Sequence, residues 1–201
     1  MSPASFPAPG THPENFRYSV YNILEPVPEE LRGRYDLVHV RLLVAALGKG
    51  DVDTAVRNLV LLLRPGGWIQ WEDLDSYTWA GRVPSSHVKE MHALMRSHME
   101  ARGMEEHIPS AFVAAATAHQ DLQNVSARAF NTLEGGTQHR DAFNKAFLWS
   151  CARSSKMILR ARGEENVEAE ATRLDEGARR DIERDGIFWD SDEHVLLAQR
   201  R

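Results

Sequence analysis

A helix pattern, a Pro-Gly-Gly turn and a strand pattern follow one another without interruption in residues 51–74. The helical part, "DVDTAVRNLVLLLR", places its apolar residues on one face, and Asp51 or Asp53 can cap its N-terminus. The turn at 65–67 ends the helix, and "WIQWEDL" resumes the chain as a strand. A helix that leads directly into a strand indicates a βαβ unit, and hence a parallel sheet with helices packed against it.

Two segments before this unit also have strand character. "YDLVHVRLL" at 35–43 is a nearly continuous apolar run, as expected for a parallel strand that is covered on both faces. "NFRYSVYNIL" at 15–24 carries apolar side chains at alternate positions, which predicts a further strand. The prolines of "EPVPEELRGR" predict a loop with one helical turn between them. The order strand, loop, strand, helix, strand predicts an α/β fold.

The remainder of the chain is mainly helical in its periodicity. Residues 1–14 predict a disordered leader, and residues 15–201 predict one domain, of which about 103–185 forms a helical substrate-side insertion and carboxyl-terminal helices. The individual segments are helices at 85–103, 110–122, 139–161 and 165–186, and strands at 124–133 and 194–199.

Composition excludes several classes of partner. The net charge of −5, without a basic patch, argues against nucleic acid as a ligand and favours a small-molecule substrate. No apolar run approaches the ~20 residues that cross a bilayer, so no membrane partner is expected. The single cysteine, Cys151, fits a reducing compartment and predicts a cytoplasmic protein. His87, His92 and His98 do not share one helical face, so no metal site is expected.

The order of these motifs resembles one family. "YDLVHVR" at 35–41, "AVRNLVLLLRPGGWIQWEDLD" at 55–75 and the closing "FWDSDEHVLLAQRR" resemble the fourth, fifth and last strands of class I S-adenosylmethionine-dependent methyltransferases. The variety common in fungal secondary metabolism is the most similar, and "PENFRYSVYNILEPVP" at 13–28 resembles its third strand and adenine-side loop. The resemblance implies a partial Rossmann-like sheet, comprising strands three to seven of the family, with flanking helices.

The resemblance also implies where S-adenosylmethionine and the methyl acceptor would bind. Asn22 and Ile23 match the loop that contacts the adenine, and Val40 and Arg41 match the positions beside the sulfonium and the substrate entrance. The residues that match the acceptor side are Trp71, Glu72, Tyr77 and Trp79. The catalytic residue is unknown, and the candidates for it are Glu72, Asp73 and His39.

Several of these side chains have two open interpretations. His39 lies inside an apolar strand, so it is either a core histidine or a base that faces the substrate. Arg41 can likewise be interpreted as a structural residue or as a functional one. Trp71 and Glu72 are neighbours on a strand and point to opposite faces, so at least one of them points away from any site.

One family feature is missing from this chain. The family's Gly-x-Gly-x-Gly turn after the first strand, and the acidic end of the second strand, have no counterpart in the sequence. We therefore expect weak or no independent binding of S-adenosylmethionine. In the family's sheet the first two strands separate the third from the fourth. Without them, 35–41 becomes an edge strand or pairs with 15–24, and we expect re-pairing, a homodimer or a docking partner to cover it.

Three functions are consistent with these patterns. The first is methyl transfer from S-adenosylmethionine to an O, N or C nucleophile in small-molecule (secondary metabolite) biosynthesis. The second is a catalytically inactive methyltransferase-fold scaffold or regulatory partner. The third is a cofactor-independent enzyme that reuses the acceptor pocket. An in-frame glycine-rich turn upstream would identify the sequence as a truncated gene product and favour the first function.

Overall fold

The computed structural model of the chain describes residues 6–8, 10–75, 85–131, 134, 137–185 and 192–201, and only the backbone of 137, 138 and 140. These residues form four strands, five α-helices and one short 3-10 helix, Glu29–Leu31. The strands are β1 (Tyr35–Arg41), β2 (Leu63–Leu74), β3 (Leu122–Asn131) and β4 (Asp192–Arg200). The α-helices are α1 (Asp51–Leu62), α2 (Ser86–Ala101), α3 (Ile108–Ala118), α4 (Thr137–Ala161) and α5 (Val167–Asp185).

The strands form one mixed sheet in the order β1-β2-β4-β3. β1 runs parallel to β2, whereas β4 is antiparallel to both β2 and β3. The parallel register places Val40 beside Trp71 and Arg41 beside Glu72, so the carboxyl ends of β1 and β2 meet at one edge of the sheet. The predicted α/β fold, with a partial sheet and flanking helices, is confirmed. The division into a leader at 1–14 and a domain at 15–201 stays a prediction.

The predicted strand at 15–24 does not form, and this expectation was wrong. The segment contains neither helix nor strand, and it makes local turns instead. Asn22 is the centre of one such turn. Its side-chain Oδ1 accepts from the backbone N–H of Leu24, and its backbone carbonyl oxygen accepts from the backbone N–H of Glu25. The Asn58 amide then attaches the turn to α1 by donating to the carbonyl oxygens of Ile23 and Glu25. Alternation alone does not make a strand unless a neighbouring strand completes its hydrogen bonds.

The main core lies between one face of the sheet and the helices α1 and α3. Ile69 and Trp71 of β2 and Leu196 of β4 are fully buried on this face, and the Trp71 ring contacts Phe112 of α3 edge-on at 5.4 Å between centroids. Alternate residues of each strand point to the opposite face. That face carries Gln70, Glu72 and, on β1, Leu37, His39 and Arg41.

A second, smaller core joins α2, α4 and α5. Val88 and Met91 of α2 pack with Cys151 of α4 and Leu174 of α5. Burial raises the pKa of the Cys151 thiol to about 12, so the thiol stays protonated and acts as a packing group. No helix in the described ranges is both long enough and apolar enough to cross a bilayer.

A buried carboxylate connects α2 to α5 in this second core. Asp181 Oδ2 accepts from the Ser85 hydroxyl at 2.5 Å and lies 3.0 Å from His87 Nδ1. Ser85 in turn accepts from the backbone N–H of Val88 and caps α2. Since the serine bonds to the carboxylate and not to the histidine, this is a helix cap and not a nucleophilic triad. These donors lower the pKa of Asp181 to about 2.

β1 forms an open edge of the sheet. Within the described residues it pairs with β2 on one side, and 15–24 does not pair with it on the other. Of the two arrangements expected for 35–41, an edge strand or direct pairing with 15–24, the described residues show the edge strand. Two large apolar side chains on β1 are exposed, Tyr35 at 40% and Leu37 at 52%.

Candidate functional site

A turn of five residues, 42–46, follows β1 and is fixed by a carboxylate from β2. Asp73 is fully buried and accepts from the backbone N–H groups of Leu43 at 2.8 Å and Val44 at 3.2 Å. It also accepts from the Trp71 indole at 2.9 Å and from its neighbour Leu74 at 3.0 Å. Burial raises the pKa of the Asp73 carboxyl, and the four donors offset part of that effect.

The 42–46 turn begins with a strained residue. Leu42 has a backbone φ of +54°, in the left-handed region that residues other than glycine rarely adopt. Its N–H donates to the Glu72 carbonyl oxygen at 2.9 Å, which extends the β1–β2 hydrogen bonding by one residue. A strained residue persists where its surroundings hold it, and here those surroundings are the end of β2 and the Asp73 carboxylate.

A cavity of about 580 Å³ lies on one side of this turn, and we call it the cofactor-side cavity. It is lined by Val20–Leu24, Val38–Arg41, Leu43, Ala46, Leu47, Leu59 and Leu62. The structure therefore brings together the four residues predicted to bind the cofactor, Asn22, Ile23, Val40 and Arg41. Segment 20–24 reaches the cavity as a turn attached to α1, although it was predicted as part of a strand.

The cofactor-side cavity suits the adenine part of S-adenosylmethionine better than the ribose. Ile23 and Val40 offer apolar contacts for a flat ring. The side-chain Oδ1 of Asn22 accepts from the Leu24 N–H and retains a second lone pair for an exocyclic amine. The described residues that line the cavity include no carboxylate, which is the group that would bind the ribose hydroxyls.

Three of the predicted residues form a polar cluster on the open face of the sheet. Glu72 lies 3.3 Å from His39 Nε2 and 3.5 Å from Arg41 Nε, and it accepts from the Gln70 amide at 2.6 Å. Arg41 also contacts Glu193 of β4 at 3.1 Å. Glu72 and His39 are thus in contact with each other, and their roles as catalytic candidates stay predictions.

The structure gives Trp71 and Asp73 structural positions. Trp71 is fully buried against Phe112, and its indole N–H is bonded to Asp73. An acceptor-binding role for Trp71 and a general-base role for Asp73 therefore find no support in their surroundings. Tyr77 and Trp79, the other predicted acceptor residues, lie outside the described residues.

A second cavity, of about 450 Å³, lies on the other side of the 42–46 turn between α2 and α4. We call it the α2–α4 cleft; its lining residues are Leu42, Val44, Ala45, Ala46, Leu74, His92, Met95, Arg96, Met99, Ala146, Phe147, Ser150, Cys151 and Ser154. Sequence reasoning missed this cleft. The available signal was the run of small residues at 146, 150 and 154, which recur every fourth position on α4 and cannot fill the space beside α2.

The two cavities share the 42–46 turn as a wall, and Ala46 lines both of them. A group bound on one side of this turn would lie close to a group bound on the other side. Among the described residues, no set of three or more His, Cys, Asp or Glu side chains is grouped to hold a metal ion. The two cavities are adjacent to each other, and one short turn separates them.

The chain is similar to named fungal methyltransferases. It is 66% identical over all 201 residues to methyltransferase grgD of a Penicillium species, and it spans 70% of that protein. It is 31% identical over 118 residues to methyltransferase str2 of Strobilurus tenacellus, covering 58% of this chain and 42% of that protein.

Comparisons with family profiles and with solved structures add no support to the similarity with methyltransferases. No protein-family profile matches the chain. A solved structure of phosphoethanolamine N-methyltransferase 2 from Haemonchus contortus, bound to S-adenosyl-L-methionine, aligns with 89% of this chain and 36% of its own, at 11% identity and a TM-score of 0.39. The match to grgD along the whole chain is decisive: the chain belongs to the family of fungal methyltransferases that includes grgD.

Proposed function

We propose that this chain takes part in S-adenosylmethionine-dependent methyl transfer to an O, N or C nucleophile of a small molecule in fungal secondary metabolism. The observation that carries the proposal is the 66% identity to a protein named as a methyltransferase. The single cysteine, which is buried, is consistent with a cytoplasmic location for this chemistry.

The cofactor-side cavity supports the proposal through the residues that it collects. When bound, S-adenosylmethionine supplies the methyl group as a sulfonium cation. Ile23 and Val40 would contact its adenine, and Asn22 would accept from the exocyclic amine. Arg41, beside the expected sulfonium, is paired with Glu72 and Glu193, so its positive charge is balanced. Holding two reactants in line can contribute about 7–11 kcal/mol to such a reaction, so few dedicated catalytic groups are needed.

The open edge of β1 supports a second part of the proposal, that the chain pairs with a second copy of itself. Unpaired backbone groups and exposed apolar side chains on an edge strand favour the addition of another strand. A different docking partner is the alternative occupant of this edge.

Calorimetric titration of S-adenosylmethionine into the purified chain tests the proposal. Micromolar binding that is lost in Ile23→Lys, a variant that places a charge in the cofactor-side cavity, would support the proposal and would overturn the expectation of weak or no independent binding. The matched control is Leu61→Lys, since Leu61 is exposed on α1 and does not line this cavity. Millimolar or undetectable binding by the unmodified chain would contradict autonomous methyl transfer. It would favour an inactive scaffold or regulatory partner, or a cofactor-independent reaction.

A further inference from the structure

We infer that two copies of the chain pair through antiparallel β1 strands centred on Val38, and that each copy places its Asp36 carboxylate in the cofactor-side cavity of the other. The inference rests on the proposed function, because it completes the site proposed there for S-adenosylmethionine. It adds to the proposed homodimer the alignment of the two strands and one residue that crosses the interface.

The outer edge of β1 carries backbone groups with which a second copy can pair. The Leu42 N–H donates to the Glu72 carbonyl oxygen of β2, at the end of the ladder that joins the two strands. Because successive residues of a strand direct their backbone groups to opposite sides, the even-numbered residues of β1 bond to β2. Leu37, His39 and Arg41 therefore direct their N–H and C=O groups outwards, away from β2.

One alignment of two antiparallel β1 strands pairs all seven residues of the strand, and it is centred on Val38. In this alignment Leu37 lies opposite the partner's His39, so the outward-facing residues form hydrogen-bonded pairs. Alignments centred on Asp36 or on Arg41 pair fewer residues. They also place like charges directly opposite each other, which destabilises a sheet. The alignment centred on Val38 is therefore favoured by both hydrogen bonding and charge.

The same alignment carries Asp36 to the partner's cavity. Asp36 lies opposite the partner's Val40, and directly opposed residues of antiparallel strands point to the same face of the sheet. Val40 lines the cofactor-side cavity, and so does Val38. Asp36 and Val40 form a pair without mutual backbone hydrogen bonds, so their Cα atoms would be only ~4.5 Å apart. The partner's Asp36 carboxylate would therefore project towards the cofactor-side cavity.

A carboxylate is the group that this cavity lacks among its described lining residues. An ionised carboxylate accepts hydrogen bonds at both oxygens and donates none, so it suits the two hydroxyl groups of a ribose. Asp36 is available for this role, although it pairs with Arg64, because both side chains are more than half exposed. An ion pair at the surface contributes little to stability, so the carboxylate can exchange it for a ligand.

Cysteine cross-linking tests the alignment of the strands without any ligand. Val38 would lie on the two-fold axis, opposite its own copy in the partner, at a Cα distance that a disulfide accepts. We expect Val38→Cys to form a covalent dimer under mild oxidation, detected on a non-reducing gel. The native Cys151 is buried, so it does not compete.

Two matched variants detect the competing alignments. Leu37→Cys would cross-link if the pairing were centred on Leu37, and His39→Cys would cross-link if it were centred on His39. In the inferred alignment each of these residues lies diagonal to its own copy, ~7–8 Å away, which is too far for a disulfide. A covalent dimer of either variant in place of Val38→Cys, or of none of the three, would overturn the inferred alignment.

Binding of adenosine and of 2′,3′-dideoxyadenosine, measured by NMR titration, tests the role of the Asp36 carboxylate. We expect Asp36→Asn to weaken adenosine binding about tenfold or more, as the loss of a charge-assisted hydrogen bond would give, and to leave binding of the dideoxy compound unchanged. Arg64→Gln, which removes the same ion pair and keeps the carboxylate, should leave both unchanged. Equal adenosine binding by Asp36→Asn and the unmodified chain, or no binding by either, would refute this role.

Mixed dimers show whether the carboxylate acts across the interface. Ile23→Lys damages the cavity of its own chain, whereas Asp36→Asn would damage the cavity of the partner. Co-expression of the two variants therefore leaves one intact site in each mixed dimer, and tight adenosine binding should return at a fraction of the sites. If Asp36 acted within its own chain, the co-expressed variants would bind as weakly as either one alone, and the inference would fail.

Titration of S-adenosylmethionine into the same samples separates this inference from the proposed function. If S-adenosylmethionine binds equally well to the unmodified chain and to Asp36→Asn, the inference fails and the proposed function stands. If adenosine binding depends on the partner's Asp36 and S-adenosylmethionine does not bind, autonomous methyl transfer fails and the nucleoside site shared by the two copies stands.

Discussion

Asp73 shows how a carboxylate at the end of a strand can hold a neighbouring turn in place. The acidic end of β2 predicts a ligand-binding group, because parallel strands present such residues at their carboxyl ends. In the structure this carboxylate binds the backbone N–H groups of Leu43 and Val44 from within the protein. Its partners lie about thirty residues away, so no local pattern could reveal them. The neighbouring Glu72 stays on the open face, as alternation along a strand requires.

Replacement of Asp73 should destabilise the protein. We expect Asp73→Ala to lower the free energy of unfolding by about 2–4 kcal/mol, since the change leaves several buried N–H donors without an acceptor. Urea denaturation followed by circular dichroism measures the effect. Asp53→Ala removes an exposed aspartate from α1 and should change stability by less than about 1 kcal/mol. Equal urea midpoints for Asp73→Ala and the unmodified chain would show that the carboxylate does not hold the turn.

At the scale of elements, the sequence predicted the helices and most strands to within a few residues. The helix predicted at 139–161 forms as Thr137–Ala161, and the strand predicted at 194–199 forms as Asp192–Arg200. These segments have long periodic patterns, which local sequence encodes strongly. The exception, 15–24, has the alternation of a strand but no strand beside it in the described residues. A strand forms only when a neighbouring strand pairs with it, and the sequence pattern of one segment does not show whether such a neighbour is present.

The contact between α2 and α5 through Asp181 should make the free energy of unfolding depend on pH in the acidic range. The pKa of Asp181 lies below its ordinary value, at about 2, because its donors stabilise the ionised form in the folded state. This stabilisation is complete above the unfolded-state pKa of about 4 and is lost as the pH falls towards about 2. We expect Asp181→Asn to remove this part of the acid sensitivity.

Thermal unfolding measured from about pH 5 to about pH 2 checks this expectation. The difference in midpoint between the unmodified chain and Asp181→Asn should shrink as the pH falls. Glu176→Gln removes an exposed carboxylate from the same helix and serves as the control. A difference that stays constant over the whole range would argue that Asp181 does not contribute through its charge.

At the scale of the whole molecule, helices among the described residues cover one face of the sheet. α1 and α3 pack on the covered face, while α2, α4 and α5 form a separate apolar cluster. The sequence predicted that 35–41 would lie at an edge or pair with 15–24, and among the described residues β1 lies at an edge. It could not predict the α2–α4 cleft, since a cavity is the space that several distant elements leave between them.

The proposed pairing of two copies through β1 belongs to this scale. We expect sedimentation at micromolar concentration to detect a dimer of the unmodified chain and a monomer of the double variant Tyr35→Lys, Leu37→Lys. Lysine on an edge strand opposes the addition of another strand. The control is Trp149→Lys with Met157→Lys, which replaces two exposed apolar residues of α4 and should leave the dimer intact. A monomeric unmodified chain would contradict the homodimer and favour a different partner at this edge.

The wall shared by the two cavities means that some substitutions would change the shape of both. A substitution within 42–46 would alter the walls of both cavities at once, because residues of this one turn line both of them. A substitution at a position that lines one cavity alone would change that cavity and leave the other cavity as it is. The small residues at 146, 150 and 154 of α4 are such positions. Libraries that vary these three sites, with 42–46 held constant, would change the α2–α4 cleft without changing the cofactor-side cavity.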